Sequence, residues 1–107
     1  FKHCEFDGKL SAVRHGGELL LYARANLMLG GGRHVQVAAS ADDGRTWGPF
    51  ELLQIAGVRT EPPDQETNLY YLHVQPHPRA AGGLLGLFPG TVHGRGGVWA
   101  TRSQDGR

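Results

Sequence analysis

Hydrophobic residues in this chain occur in short runs separated by clusters of glycine, proline and small polar residues. The alternation is clearest in residues 33–40, where Val35 and Val37 alternate with His34 and Gln36. A period of two is typical of a β-strand with one buried face. Seven such runs predict seven short strands, at residues 10–14, 18–24, 33–40, 50–55, 68–75, 83–88 and 97–101.

The number of strands and their turn signals define the fold class. Turns recur about every 8 to 15 residues, and this spacing predicts an all-β sandwich, barrel or propeller. One segment has a competing interpretation, because residues 18–29 are rich in Glu, Leu, Ala and Arg, which are good helix formers. A glycine pair before this segment and three glycines, Gly30 to Gly32, after it favour a hairpin, with Gly16 and Gly17 as its turn.

Composition and charge narrow the possible partners. The chain has 107 residues, of which 17 are glycine and 6 are proline, as many chain reversals require. The formal net charge of +1 gives no electrostatic basis for binding nucleic acid. No run approaches the roughly 20 apolar residues that cross a membrane, so we expect no membrane span.

No cofactor or metal motif is present in the sequence. The single cysteine, Cys4, can form neither an internal disulfide nor a thiolate zinc site. His73 and His77 have a helical metal spacing, but Pro76 lies between them and the segment is predicted as a strand. In a strand these two residues stand ~13 Å apart. We therefore expect no cofactor and no metal.

One motif stands out, at residues 40–47 with the sequence SADDGRTW. Its aspartate can accept hydrogen bonds from main-chain N–H groups within a turn. Its glycine supplies a positive φ, and its tryptophan can cover an apolar face while its indole N–H donates. The motif therefore predicts a tight hairpin between two strands, with structural roles for Ser40, Asp42, Gly44, Thr46 and Trp47.

This motif resembles the Asp-box, also called the BNR repeat, of the sialidase (neuraminidase) superfamily and other β-propellers. The resemblance implies four-stranded blades around a central axis. On that basis residues 10–55 are expected to form one blade, residues 68–107 an incomplete blade, and residues 56–67 a linker. Propellers need four to eight blades, so we expect this all-β chain to be a fragment of about two blades.

A second, weaker motif ends the chain. Asp105, Gly106 and Arg107 repeat the Asp-Gly-Arg of the first motif, with Asp105 aligned on Asp43. Its Ser-x-Asp-Gly form is similar to a variant in some five-bladed glycoside hydrolases. A chance Asp-Gly turn would look the same, but repetition at a fixed interval is typical of repeat architectures.

The resemblance implies hydrolysis of glycosidic bonds in a carbohydrate or glycoconjugate substrate. Sialidases hold the sugar carboxylate with arginines, whose planar guanidinium groups bind carboxylates bidentately. Asp-boxes lie at the blade periphery and indicate fold rather than activity. A non-catalytic propeller that binds protein or glycan is therefore the alternative, and a free-standing β-sandwich is a third. In each propeller case the rest of the domain is expected to lie outside this sequence.

Several residues are candidates for a glycan site. Asp7 and Glu66 are candidate catalytic carboxylates because each precedes a strand expected to line the channel. Arg24, Asn26 and Asn68 are candidate substrate-binding residues at strand ends. The structural alternatives remain open: an Asp-Gly turn at Asp7, a loop acid at Glu66, and a solvent-exposed strand end at Arg24 and Asn26.

Overall fold

The computed structural model describes residues 8–28, 31–60 and 66–107, and these contain strands and turns but no helix. The strands are β1 (Ser11–His15), β2 (Glu18–Met28), β3 (Gly31–Ser40), β4 (Glu51–Leu52), β5 (Asn68–Leu69), β6 (His73–Pro76), β7 (Leu84–Val92) and β8 (Arg95–Ser103). The predicted all-β class is confirmed. No membrane-crossing helix is found in these ranges.

The first sheet consists of β1 to β4 in chain order, with every neighbouring pair antiparallel. The helical alternative over residues 18–29 is wrong, because β2 pairs along both edges and lies in the middle of the sheet. Gly16 and Gly17 form the β1–β2 turn with φ of 56° and 85°, which suits the right-handed twist of a hairpin. The predicted strand at 50–55 is shorter, although the Leu53 N–H still donates to the Val35 carbonyl at 3.0 Å.

The second sheet is built around β7. Strand β8 pairs with β7 along its whole length, so β5 and β6 share the other edge. The prediction of one continuous strand at 68–75 is wrong in the middle, where residues 70–72 oppose only residues 88–89. This extra residue is a β-bulge. Pro89 explains its position, because proline has no N–H to donate to the ladder and only its carbonyl accepts, from the Tyr70 N–H at 3.1 Å.

The β7–β8 hairpin is longer than predicted. Both strands extend beyond the predicted ranges 83–88 and 97–101, and only His93 and Gly94 remain as the turn, with φ of 50° and 73°. Positive φ at both turn positions is the geometry that joins antiparallel strands most tightly. Gly90 is required inside β7, because a Cβ there would collide with the Asn68 carbonyl oxygen of β5.

The two sheets pack against each other around one hydrophobic core. Contacts run from β1 to β6 and from β3 to β5, and the Val74 N–H donates to the Ser11 hydroxyl at 3.0 Å. Both sheets are open, so each has an inner face toward the other sheet and an outer face away from it. The core residues are Val13, Leu20, Tyr22, Val35, Val37, Leu53, Leu69, Leu72, Val74, Leu84 and Phe88.

Candidate functional site

The first box, residues 40–47, is a closed network of hydrogen bonds. The Ser40 hydroxyl donates to the Asp42 carboxylate at 2.8 Å and accepts from the Gly44 N–H at 2.8 Å. Thr46 donates to the same carboxylate through its N–H at 2.8 Å and its hydroxyl at 2.6 Å. These bonds, led by the Thr46 hydroxyl, lower the pKa of Asp42 to about 2. The exposed Trp47 indole donates to the Gly44 carbonyl at 3.0 Å, so it braces the turn.

The second box, residues 103–107, repeats this network. The Ser103 hydroxyl donates to the Asp105 carboxylate at 2.9 Å and accepts from the Gly106 N–H at 2.8 Å. The Arg107 N–H donates to the same carboxylate at 3.0 Å and is the main cause of the lowered pKa of Asp105. The two boxes therefore close with the same chemistry.

The hydrogen bonds correct the alignment of the two boxes. The Asp-Gly-Arg match pairs Asp105 with Asp43, but the carboxylate that bonds the turn in the first box is that of Asp42. Asp43 instead forms an exposed ion pair with Arg14 at 2.7 Å. One residue fewer separates the aspartate from the glycine in the second box, and this shift misleads an ungapped comparison.

The second box is anchored on the first sheet. The Tyr22 hydroxyl donates to the Gly106 carbonyl at 2.9 Å within the core, and burial is the main cause that raises the pKa of Tyr22 to about 12. His15 contacts the Gln104 carbonyl at 2.7 Å, and Arg107 pairs with Glu18 at 3.3 Å. This end of the molecule is occupied by structural contacts between the sheets.

A cationic cluster lies farther along the sheets, where β2 and β3 approach β5. Arg24 donates to the Tyr70 carbonyl through Nη2 at 2.7 Å and Nε at 3.3 Å. Arg33 donates to the Asn68 side-chain oxygen through its N–H at 3.2 Å and Nη1 at 3.4 Å. The Arg33 guanidinium also lies 5.8 Å from the centre of the exposed Tyr70 ring, within cation–π range.

Strand register explains this convergence. Arg24 and Asn26 are two residues apart on β2 and so share a face, and Asn26 lies directly opposite Arg33 on β3. The three residues predicted to bind substrate, Arg24, Asn26 and Asn68, are thereby gathered around Arg33. We call the surface formed by Arg24, Asn26, Arg33, Asn68 and Tyr70 the arginine cluster.

Sequence reasoning missed Arg33 and Tyr70. Arg33 directly follows Gly31 and Gly32, and Tyr70 lies within the single strand predicted at residues 68–75. The signal that could have identified Arg33 is its hairpin register, which places it opposite Asn26. The position of Tyr70 beside Arg33 depends on the β-bulge at residues 70–72, and the sequence does not reveal this bulge.

Of the two candidate catalytic carboxylates, the structure describes Glu66 and not Asp7. Glu66 lies beside the β7–β8 turn, where its carbonyl accepts from the Gly94 N–H at 3.1 Å. Its side chain is exposed, and it forms no ion pair with another described residue. It stands two residues before Asn68 on the same chain segment. Asp7 lies outside the described residues, and the adjacent Gly8 packs against the Arg24 guanidinium.

The first sheet contains one described histidine, His34, that is buried and has a lowered pKa. His34 contacts the Leu53 carbonyl through Nε2 at 2.7 Å, so this nitrogen carries the proton. Burial is the main cause that lowers the pKa of His34, because the charged form would be desolvated. In residues 8–28, 31–60 and 66–107, no group of three His, Cys, Asp or Glu side chains is arranged to hold a metal ion.

Comparison of the chain with protein-family models, with curated proteins and with solved structures found no match. The relationship to sialidases therefore stays a prediction from the box motif. The functional argument rests on the geometry of the arginine cluster and of the two boxes.

Proposed function

We propose that the two sheets are neighbouring blades of a sialidase-like β-propeller. Three features support this proposal. The first sheet runs β1 to β4 in order, and the second repeats the order of β1 to β3, with β5 and β6 as one bulged first strand followed by β7 and β8. The two boxes follow the third strand of each sheet with matching hydrogen bonds. The sheets also pack face to face, as consecutive blades do.

The domain acts on glycans, with the arginine cluster holding the sugar. The observation that carries this proposal is the meeting of two guanidinium groups, two side-chain amides and an exposed aromatic ring at one end of the sheet interface. Guanidinium and amide groups bind sugar carboxylates and hydroxyls, and the Tyr70 ring offers an apolar surface to the sugar. Such convergent polar groups beside an aromatic surface are typical of a small-molecule site.

For hydrolysis, Glu66 and Asp7 are the proposed catalytic carboxylates. Glycosidases commonly flank the scissile bond with a carboxylic acid and a second carboxylate or nucleophile. Glu66 is exposed and close in sequence to Asn68, and Asp7 is adjacent to Gly8, which contacts Arg24. The exposed position of Glu66 suits a group that acts on a sugar held by the cluster, whereas Asp7 is proposed from the sequence alone.

Calorimetric titration with sialic acid and sialyllactose tests the binding step. Arg33→Ala is expected to weaken binding by at least about tenfold, which corresponds to about 1.4 kcal/mol. Arg79→Ala is the matched control, because Arg79 is an exposed arginine in the β6–β7 connection. No sugar binding by the wild-type protein, or equal binding by Arg33→Ala, overturns the proposal.

A non-catalytic glycan-binding module is the second candidate. It is favoured by the contacts of four of the five other described carboxylates, because Asp42 and Asp105 hold the boxes while Asp43 and Glu18 pair with arginines. Glu66→Gln separates the two functions when fluorogenic glycosides are assayed beside sugar binding. Lost turnover with retained binding supports the hydrolase, whereas sugar binding with no wild-type turnover supports the binding module.

A further inference from the structure

A groove lies between the start of β1 and the start of β6. Three consecutive residues from each of these two segments line it, namely Lys9, Leu10, Ser11, Tyr71, Leu72 and His73. The Ser11 hydroxyl accepts from the Val74 N–H at 3.0 Å, so the two segments are joined beside the groove. Its volume of about 230 Å³ exceeds the space that one water molecule needs, so the groove accommodates a charged group of a ligand.

One cation lies over an aromatic ring in this groove. The Lys9 ammonium is 5.6 Å from the centre of the Tyr71 ring, within cation–π range. Lys9 is exposed and forms no ion pair with another described residue, and none of the described residues that line the groove is acidic. The ring positions the ammonium on one side, and an ammonium has three N–H donors with which it can bind an anionic ligand.

The arginine cluster contains the same pairing at the preceding tyrosine. The Arg33 guanidinium lies 5.8 Å from the centre of the Tyr70 ring. Two neighbouring tyrosines, Tyr70 and Tyr71, thus each lie beside a cation that comes from residues 9–33. Consecutive side chains of a regular strand point to opposite faces, and the bulge at residues 70–72 removes that constraint.

Arg24 and Gly8 connect the two cation–aromatic pairs. Arg24 donates to the Tyr70 carbonyl at 2.7 Å, and this carbonyl belongs to the peptide bond between the two tyrosines. A Cβ at Gly8 would lie 3.3 Å from the same guanidinium, and Gly8 directly precedes Lys9. The two pairs are therefore neighbouring positions on one continuous surface.

We propose that the Lys9–Tyr71 groove is a second anionic subsite, and that the ligand is a glycan with two successive acidic sugar units. The arginine cluster holds the carboxylate of one unit, and Lys9 holds the carboxylate of the next. This inference rests on the proposed function, since it extends the glycan from the arginine cluster. In the proposed propeller the first strand of each blade lines the central channel, so further blades leave the groove accessible.

The donors on this surface select acidic sugars over neutral ones. Guanidinium and ammonium groups only donate hydrogen bonds. The Asn68 side-chain oxygen, which could accept a bond from a sugar hydroxyl, already accepts from the Arg33 N–H and guanidinium. A carboxylate only accepts, and its bonds to cationic donors are stronger than those of a neutral hydroxyl. Two cations at neighbouring positions therefore match two carboxylates in succession.

Calorimetric titration with two ligands that share a terminal sialic acid tests the proposal. In the α2,8-linked sialic acid dimer the next sugar is acidic, whereas in sialyllactose it is neutral. The dimer is expected to bind the wild type about fivefold more tightly at low ionic strength, the upper end of what an exposed ion pair contributes. Lys9→Ala is expected to remove this advantage and to keep the affinity for sialyllactose. Arg33→Ala is expected to weaken both ligands.

Two substitutions of Tyr71 test the contribution of its ring. Tyr71→Phe keeps the ring and is expected to retain the preference for the dimer, whereas Tyr71→Leu is expected to reduce it. Arg79→Ala, at an exposed site in the β6–β7 connection, is the control and should behave like the wild type. If Lys9→Ala does not melt cooperatively, Lys9→Gln replaces it.

The opposing outcomes separate this inference from the proposed function. Sialyllactose binding with no preference for the dimer overturns the second subsite and leaves the glycan site intact. A folded Lys9→Ala variant that keeps the full preference also overturns it. Absence of binding by both ligands overturns the proposed function and the second subsite together.

Discussion

The hydroxyl of Tyr22 donates a 2.9 Å hydrogen bond to the carbonyl of Gly106, which lies 84 residues later in the chain. The bond joins the second strand of the first sheet to the second box. Both residues are buried, so the bond fixes the two sheets where water does not compete. The repeated turn thereby takes part in the interface between the sheets.

Tyr22→Phe is expected to lower the free energy of unfolding by about 1 kcal/mol, because the Gly106 carbonyl loses its buried donor. Urea denaturation measures the change. Tyr70→Phe is the control, since the exposed Tyr70 uses its ring and its main chain in the described contacts. Equal stability of Tyr22→Phe and the wild type would show that the hydrogen bond contributes nothing.

The same tyrosine predicts a loss of stability in alkali. Burial raises the pKa of Tyr22 from 10.0 to about 12, so the unfolded chain releases this proton before the folded chain does. Its contribution is complete below pH 10 and is lost as the pH rises through about 12. The stability difference between wild type and Tyr22→Phe should therefore shrink across this interval in urea titrations at fixed pH. A constant difference would contradict the assignment.

Gly106→Ala is expected to lower the free energy of unfolding, measured by urea denaturation, by about 2 to 4 kcal/mol, because backbone strain and overpacking add together. Gly106 has a φ of 82°, and a Cβ there would collide with Leu20 and lie 2.9 Å from the Tyr22 hydroxyl oxygen. Gly16→Ala is the matched control, because Gly16 has a φ of 56° with open space around it. It should cost about 1 kcal/mol from strain alone. Equal losses of unfolding free energy in Gly106→Ala and Gly16→Ala would show that packing at Gly106 contributes nothing.

Asp42→Asn is expected to lower the melting temperature at neutral pH and to leave sugar binding by the folded protein unchanged. Its hydrogen bonds lower the carboxyl pKa from 3.8 to about 2, so its contribution is present above pH 3.8 and is lost as the pH falls through about 2. The melting curves of variant and wild type should therefore converge in acid. Asp43→Asn, which removes only the exposed pair with Arg14, should have a much smaller effect.

His34→Gln is expected to reduce the acid sensitivity of the fold. Burial lowers the pKa of His34 below 6.5, so the unfolded chain takes up this proton more readily. Its contribution is therefore complete above pH 6.5 and is lost as the pH falls through the lower folded pKa. Glutamine can still donate to the Leu53 carbonyl, so the two proteins should differ mainly in their pH dependence. Parallel stability curves from pH 7 to 5 would contradict this.

The first box and the strand at residues 33–40 could be predicted from the sequence, because each depends only on residues that are close together in the chain. The first box closes through side chains within eight positions of each other, and the glycine at its turn has a φ of 86°. The strand at residues 33–40 follows directly from alternation. The break between β5 and β6 could not be predicted from the sequence, because it depends on Pro89 in the facing strand β7. The identity of the aspartate that matches Asp105 also required the hydrogen bonds.

The sequence by itself determined an all-β chain with a Ser-Asp turn of known chemistry, and it identified Arg24, Asn26 and Asn68 as candidate binding residues. Alternation, turn residues and local hydrogen bonding act over a few positions, so a linear pattern contains them. Only the tertiary structure brought Arg33 and Tyr70 to those residues and left Leu10 and Val98 exposed. These relationships arise from strand register and from packing between sheets, and both join residues that are distant in the chain.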